Sequence, residues 1–213
     1  QLNKLKALAK KKKKKIFEVI QYVHHPLFAR VKKLIKSNSI GKVLRVESSF
    51  KIPLNDKKNF RFNKNFGGGA LYDVGFYPIS IMFTLFNSKE IKLLSSKIIR
   101  RNKLDIIGDI RAQNENKIIF DLNWGFMSSY KNNLIVYGTE GSLVIDFIFS
   151  KNVNQDGKVI VYKKKKSEII KVSKSNQINL AFKHMLSNRN KLFNERYHTS
   201  SSILNIIERL KKK

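Results

Sequence analysis

Six short apolar segments follow one another between residues 91 and 164, and this succession constrains the fold more than any other feature of the sequence. Each segment has the length and the β-branched or aromatic content of a strand, and turn residues separate it from the next. Glu140-Gly141 and Asp156-Gly157 suit tight turns. The series predicts mostly antiparallel strands, with the sequences IKLLSSKIIR, DIIGDIRAQN, KIIFDLNWGF, NNLIVYGTEG, SLVIDFIF and KVIVYKK.

The flanking segments predict helices and two more strands. Together they indicate an α+β fold, in which an open, mostly antiparallel β-sheet is covered by helices on one face. The other face is then either solvated or paired with another subunit. The predicted helices cover residues 2–15, 27–41, 79–86, 179–195 and 200–213, with serines near 200 as N-cap of the last; the added strands cover 16–23 and 43–52.

The composition is that of a globular protein, with 42% hydrophobic residues among 213. No apolar run approaches the about 20 residues that a membrane-spanning helix requires, so we expect no membrane partner and a cytoplasmic location. The chain contains no cysteine, and its four histidines are not arranged at zinc-ligand spacing. The sequence therefore predicts no metal site.

The formal net charge of +29 raises the possibility of a nucleic-acid partner, because a basic chain gains affinity for phosphates by counterion release. The excess is mainly lysine and accompanies abundant Ile, Asn and Phe, a combination that A/T-rich coding sequence produces. We therefore expect a solvated basic surface and no nucleic-acid function. The run Lys10–Lys15 is either a phosphate-binding tract or, as we expect, a solvated helix end.

The segment Gly67–Tyr77, GGGALYDVGFY, carries the strongest chemical signal. Glycines allow close approach of the backbone, and before a helix they leave N–H groups that favour an anion or a polarised oxygen. Asp73 and Tyr77 lie four residues apart and face the same side if the segment is helical, although Gly75 and Pro78 indicate an irregular helix. A phenol beside a carboxylate suits proton transfer. The structural alternative is a core tyrosine and a capping aspartate.

GGGALYDVGFYPIS, preceded by NFRFNKNF, resembles the signature of the Gfo/Idh/MocA family of NAD(P)-dependent sugar and cyclitol dehydrogenases. EVIQYVHHPLFARVKKLIKSNSIGKVLRVESSF resembles the junction of the family's two domains, and YGTEGSLVID its late hairpin. In the tyrosine-bearing branch, the resemblance implies that Tyr77 transfers the proton and that Asp73 lies beside the substrate. It also implies that Tyr22, His25 and Arg61 lie near the nicotinamide or the substrate, and that Gly68 and Gly69 let the loop pack against them.

The resemblance also implies a domain organisation. Residues 1–22 correspond to the last helix and strand of a Rossmann-type nucleotide-binding domain, and residues 23–213 to the substrate-binding and oligomerisation domain. No G-x-G-x-x-G occurs between a strand and a helix, so the family's phosphate loop and its Glu-Lys-Pro motif would lie upstream of Gln1.

The implied protein is an oxidoreductase that acts on CH–OH groups of a sugar, polyol or cyclitol with NAD or NADP, and forms a homo-oligomer through the open sheet face. The alternative is a catalytically inactive binding or scaffold module that lacks its nucleotide domain.

Overall fold

A computed structural model describes residues 2–14, 16, 18–56, 58–164, 166–187 and 189–211, with only the backbone for 189–196. The last lysine of the run Lys10–Lys15, Phe17 of the segment 16–23, and residues 212–213 of the last expected helix lie outside this part.

The centre of the fold is an eight-stranded sheet with the order β2-β3-β4-β1-β5-β6-β7-β8. All neighbouring strands are antiparallel except β1 and β4, which are parallel. The first strand therefore lies in the middle of the sheet, where both of its edges are hydrogen-bonded. The strands are β1 Val43–Lys51, β2 Ile91–Arg101, β3 Leu104–Asn114, β4 Ile119–Gly125, β5 Lys131–Gly138, β6 Gly141–Asp146, β7 Gly157–Lys163 and β8 Lys166–Val172.

Within the described residues, five α-helices and several short helical turns accompany the sheet. A turn of 3-10 helix, Gln21–His24, precedes α2, and a π-helical turn, Leu71–Gly75, leads directly into α3. Side chains alternate across each strand, so one face of the sheet meets these helices and forms the core. The helices are α1 Leu2–Lys11, α2 Pro26–Lys36, α3 Phe76–Thr84, α4 Gln177–Ser187 and α5 Arg189–Lys211.

The third helix is sandwiched between the sheet and α5, which explains its almost entirely apolar sequence. Ile79, Ile81 and Met82 are fully buried. On the sheet side, the rings of Phe86 and Phe120 are 5.4 Å apart and meet edge to face. The π turn before α3 and the start of α3 are thereby fixed relative to β1 and β4.

Trp124 of β4 is fully buried under the π turn, and two glycines make room for it. A Cβ on Gly75 would lie 2.9 Å from the Trp124 ring, and one on Gly108 would lie 2.3 Å from it. Both distances are shorter than real side chains allow. Gly75 therefore has a packing role, which explains a glycine inside a helical segment.

The expected α+β architecture is confirmed, but three elements differ from their prediction. The segment 16–23 does not form a strand: the described residues 16 and 18–20 are irregular, and Gln21–His24 is a 3-10 turn. A strand needs a neighbour to satisfy its backbone groups. Here the segment instead contacts α5, because the Ser200 hydroxyl of α5 donates a hydrogen bond to the Glu18 carboxylate.

The boundary between the last two helices, α4 and α5, also differs from the prediction. The sequence predicts a break between residues 195 and 200, whereas α4 ends at Ser187 and α5 runs from Arg189 to Lys211. Ser200, expected near an N-cap, is buried inside α5. The strand β8 was missed because lysines surround its few apolar residues; an edge strand tolerates such charge.

The second face of the sheet carries no helix of the described part of the chain. Ile135, Val144, Ile160 and Ile169 lie directly opposite one another on β5 to β8 and form an apolar row across this open face. Nearer to the middle of the sheet, Arg45 pairs with Asp121 at 2.8 Å. Among the helices of the described residues, none combines the length and apolar character needed to cross a membrane.

Candidate functional site

The glycine loop is folded onto its own backbone. The N–H groups of Gly67, Gly68 and Gly69 donate to the carbonyls of Lys64, Asn63 and Arg61, at 3.1, 3.0 and 2.9 Å. A Cβ on Gly68 would lie 2.5 Å from the Arg61 carbonyl oxygen. These N–H groups are therefore satisfied internally and do not form the anion cradle that the sequence suggested.

The anion expected at the start of the helix is a carboxylate of the chain itself. Asp105, at the beginning of β3, accepts a hydrogen bond from the Leu71 N–H. Gly69 has a φ of +118°, and a Cβ there would lie 2.3 Å from Asp105 Oδ1. Burial raises the pKa of the Asp105 carboxyl, although the Leu71 N–H opposes the shift. Asp105 thus ties the glycine loop and the π turn to the sheet.

Asp73 lies in the π turn and is held by Arg61. Arg61 Nε donates to Asp73 Oδ2 at 2.6 Å, and both side chains are about one-third exposed, at 32% and 29%. A π turn widens the helix locally and is frequent at functional sites. The irregularity that Gly75 and Pro78 predict is therefore present, and it leaves the carboxylate facing solvent.

The phenol of Tyr77 lies beside this ion pair. Burial raises the pKa of Tyr77, and the Asp73 charge raises it further. The Arg61 charge and a hydrogen bond with the Gln21 side chain oppose the shift. Because the net direction is upward from a value near 10, Tyr77 is a neutral phenol at pH 7. The structure thus brings Tyr77, Asp73 and Arg61 together.

An aromatic wall positions the Tyr77 ring. The ring centroid of Tyr77 lies 5.1 Å from that of Phe50, 5.7 Å from that of Phe149 and 5.8 Å from that of Phe76. Edge-to-face contacts of this kind restrict the rotation of a ring. The wall desolvates the phenol, and its hydroxyl forms a hydrogen bond with the Gln21 side chain.

Tyr22 and His25 lie one layer deeper than Tyr77. Tyr22 is fully buried, and its hydroxyl bonds to Ser80 Oγ at 2.6 Å and Thr84 Oγ1 at 2.8 Å. His25 is 3% exposed and caps α2, since its Nδ1 accepts from the Leu27 N–H at 3.0 Å. Burial and the Lys151 charge lower the pKa of His25. Both side chains support the site in this structure, and their contact with a ligand stays a prediction.

Sequence reasoning missed Gln21, Glu18 and Asp105. Gln21 and Glu18 act on the Tyr77 phenol from the segment before α2, the former by a hydrogen bond and the latter through its charge. Asp105 lies 34 residues after Leu71 along the chain. For Gln21, the sequence offered one indication of a role at the site. It lies next to Tyr22, in the segment that resembles the junction of the family's two domains.

The domain family described as the GFO/IDH/MocA C-terminal domain matches residues 28–144, more than half of the chain, and this range includes Asp73 and Tyr77. The chain belongs to the Gfo/Idh/MocA family.

Relatives of this Gfo/Idh/MocA chain include sugar reductases. It is 28% identical over 148 residues to a dTDP-3,4-didehydro-2,6-dideoxy-alpha-D-glucose 3-reductase of Saccharopolyspora spinosa, a match that covers 69% of the chain and 45% of the relative. A similar enzyme of Actinomadura kijaniata is 26% identical over 152 residues, with 70% and 46% covered. The chain thus spans about half the length of these relatives.

Solved structures share the fold. KijD10, a 3-ketoreductase from Actinomadura kijaniata in complex with NADP and TDP-benzene, superposes with a TM-score of 0.87 at 20% identity, covering 95% of this chain and 64% of KijD10. An aldose-aldose oxidoreductase from Caulobacter crescentus, complexed with glycerol, gives a TM-score of 0.82 at 16% identity, covering 99% and 66%.

In the described part of this Gfo/Idh/MocA chain, the groups at the site differ in how well they fit a nicotinamide dinucleotide and its substrate. The phenol, carboxylate and guanidinium suit the polar atoms of a reacting sugar next to a nicotinamide ring. Its glycine loop does not suit the pyrophosphate, because the N–H groups of Gly67, Gly68 and Gly69 already donate to carbonyls of the chain. The described residues contain no group of three or more His, Asp or Glu that would hold a metal ion.

Proposed function

We propose that this chain is the substrate-binding part of an NAD(P)-dependent oxidoreductase acting on a sugar or a related polyol. The observation that carries the proposal is the Arg61–Asp73 ion pair, 2.6 Å from nitrogen to oxygen, whose two charges act on the Tyr77 phenol, on a domain of the Gfo/Idh/MocA family. Residues 23–213 form the substrate-binding and oligomerisation domain in this proposal, and residues 1–22 the end of a nucleotide-binding domain.

Tyr77 is the proton donor in this proposal. Because its pKa is raised, the phenol keeps its proton at neutral pH and donates it to a carbonyl oxygen as that oxygen gains negative charge. NAD(P)H, when bound, would supply the hydride that reduces the carbonyl carbon. The product is a CH–OH group, and the tyrosinate left behind regains a proton from solvent. The reverse reaction needs Tyr77 in its deprotonated form, as a base.

Asp73 and Arg61 orient the substrate. A carboxylate accepts hydrogen bonds from sugar hydroxyls, and its geometry is fixed here by Arg61 Nε. Correct placement of the carbonyl beside the phenol contributes much of the rate of such a reaction. Arg61 also lies close enough to stabilise negative charge that develops at Tyr77.

The first candidate substrate is a ketone of a nucleotide-linked deoxysugar. Two relatives with that activity in their names match about 70% of the chain. Free sugars and polyols are the second candidates, because the glycerol-bound aldose-aldose oxidoreductase shares the fold.

Nuclear magnetic resonance of the 213-residue chain tests the proposed site directly. We expect a dTDP-linked sugar to shift the Tyr77 ring and Arg61 Nε–H signals, while the signals of Tyr162 on β7 stay in place. Arg61→Gln should weaken binding, because it removes the guanidinium that holds Asp73. If the sugar nucleotide binds nowhere near Tyr77, the proposal is wrong, and the alternative of a non-catalytic binding module gains support.

We also propose that two copies of this chain pair through the open sheet face. Ile169 is 58% exposed and continues the row of Ile135, Val144 and Ile160 across four strands. Contiguous exposed apolar surface of this kind favours a protein interface. A two-fold axis through the row would place each apolar row against its copy.

A further inference from the structure

Two histidines that are 160 residues apart in the sequence meet on the surface. His24 Nδ1 and His184 Nδ1 are 2.8 Å apart, and the ring centroids are 5.1 Å apart. His24 ends the 3-10 turn Gln21–His24, and His184 lies in the last turns of α4. The pair joins α4 to the segment that precedes α2.

The short distance means that one proton lies between the two nitrogens. One imidazole donates its N–H and the other accepts with its lone pair. When the donor ring carries its proton on Nε2 instead, both Nδ1 atoms present a lone pair to the space between the rings. This is the arrangement in which imidazoles bind a transition-metal ion, because each ligand must be deprotonated at the coordinating nitrogen.

The geometry requires only a small adjustment for a metal ion. Zinc–imidazole bonds of about 2.0–2.1 Å at a tetrahedral angle separate two ligand nitrogens by roughly 3.3 Å. The rings would therefore move apart by about half an ångström. His184 is exposed on α4, so its side chain has room for this movement.

We propose that His24 and His184 bind a divalent transition-metal ion such as Zn²⁺ or Ni²⁺, with water in the remaining positions. Imidazole nitrogen suits these ions and not the hard Mg²⁺ ion, which prefers oxygen ligands. No group of three His, Asp or Glu ligands exists in the described part of the chain, so the site is open and exchangeable. Spacing in the sequence predicted no metal because the fold alone brings the two histidines together.

A metal ion at this pair would also affect the 3-10 turn that contains His24. The same 3-10 turn contains Gln21, which hydrogen-bonds to Tyr77, and Tyr22, which bonds to Ser80 and Thr84 of α3. An ion bound by His24 and His184 fixes α4 against this turn. It therefore stabilises the folded chain through a cross-link that lies outside the Tyr77 site.

Thermal unfolding of the chain without an affinity tag tests the proposal. Zn²⁺ or Ni²⁺ at saturating concentration should raise Tm by about 2–4 °C, because it binds the folded state. Mg²⁺ at the same concentration should leave Tm unchanged. His184→Ala and His184→Gln should abolish the shift, the second while keeping a side chain that hydrogen-bonds, and the matched control His198→Ala on α5 should retain it.

Calorimetric titration of the chain with Zn²⁺ or Ni²⁺ at 25 °C measures metal affinity directly. This measurement does not depend on how each substitution changes the stability of the fold. Loss of an outer hydrogen-bond partner alone costs roughly 10- to 100-fold in metal affinity, so loss of a ligand in His184→Gln should cost at least that. The proposal is overturned if Zn²⁺ and Ni²⁺ do not bind to the parent chain. It is equally overturned if His184→Gln binds them as tightly as the parent does, or if binding disappears in His198→Ala.

Discussion

At the scale of single residues, the environment of Tyr77 decides what the site can do. Burial and Asp73 raise its pKa, whereas Arg61 and Gln21 lower it. The motif in the sequence was sufficient to place Asp73 and Tyr77 in one short helical segment, because their spacing is local, and their roles stay a prediction. Gln21 and Asp105 were not predictable, since their contacts with the site depend on how distant segments pack.

Gln21→Leu should raise the pKa of Tyr77 further, because it removes a hydrogen bond that opposes the effect of burial. The shift can be followed by a pH titration of the ¹³Cζ signal of labelled tyrosines. Tyr72 is an internal control, since its hydroxyl bonds to Glu208 at 2.6 Å and has its own environment. A Tyr77 titration that is the same in both proteins would contradict the assigned role of Gln21.

At the scale of elements, the sequence predicted those that carry their own signal. Six strands and the helix after His25-Pro26 were evident from their apolar periodicity and turns. The segment 16–23 has the apolar, β-branched composition of a strand, but no neighbour pairs with its described residues, and it forms a 3-10 turn instead. The boundary of α4 and α5 was misplaced because serine is typical of helix caps, whereas Ser200 lies buried inside α5, where its hydroxyl bonds to Glu18.

Asp105→Ala should destabilise the chain by about 1 kcal/mol, since the Leu71 N–H at the start of the π turn loses its acceptor. Urea unfolding at constant pH measures the loss. Asp105→Asn keeps an acceptor and should be milder. Equal stability of Asp105→Ala and the parent would show that the carboxylate does not hold this turn.

The free energy of unfolding should depend on pH through Asp105, because the pKa of its carboxyl is raised in the folded chain. The folded chain holds the Asp105 proton more tightly than the unfolded chain, so this stabilisation is present below the unfolded pKa of about 3.9 and is lost as pH rises through the folded pKa. Relative to Asp105→Asn, the parent should therefore lose unfolding free energy as the pH rises above about 4. Asp109→Asn, at an exposed position of the same strand, is the matched control.

At the scale of the whole molecule, the sheet was predictable and its order was not. Local patterns indicate strands, but the insertion of β1 between β4 and β5 depends on a parallel pairing between distant segments. The open face was expected from the number of helices. Its apolar row became visible only with the register, because Ile135, Val144, Ile160 and Ile169 lie on four different strands.

Ile160→Lys together with Ile169→Lys should convert the proposed dimer to a monomer, since charges on the open face would be buried against each other. Light scattering coupled to size exclusion measures the mass. Leu186→Lys is the matched control, because this residue is 65% exposed on α4, away from the sheet. If the parent chain is monomeric at high concentration, pairing through this face is excluded.

The proposed role of Tyr77 as proton donor in a sugar-reducing site is tested by Tyr77→Phe. The comparison needs a protein that contains both this chain and a nucleotide-binding domain. We predict that kcat falls by about 10²- to 10⁴-fold while KM stays nearly unchanged, because the ring and its packing remain and only the transferable proton is lost. Turnover at the parent rate in Tyr77→Phe would contradict the account.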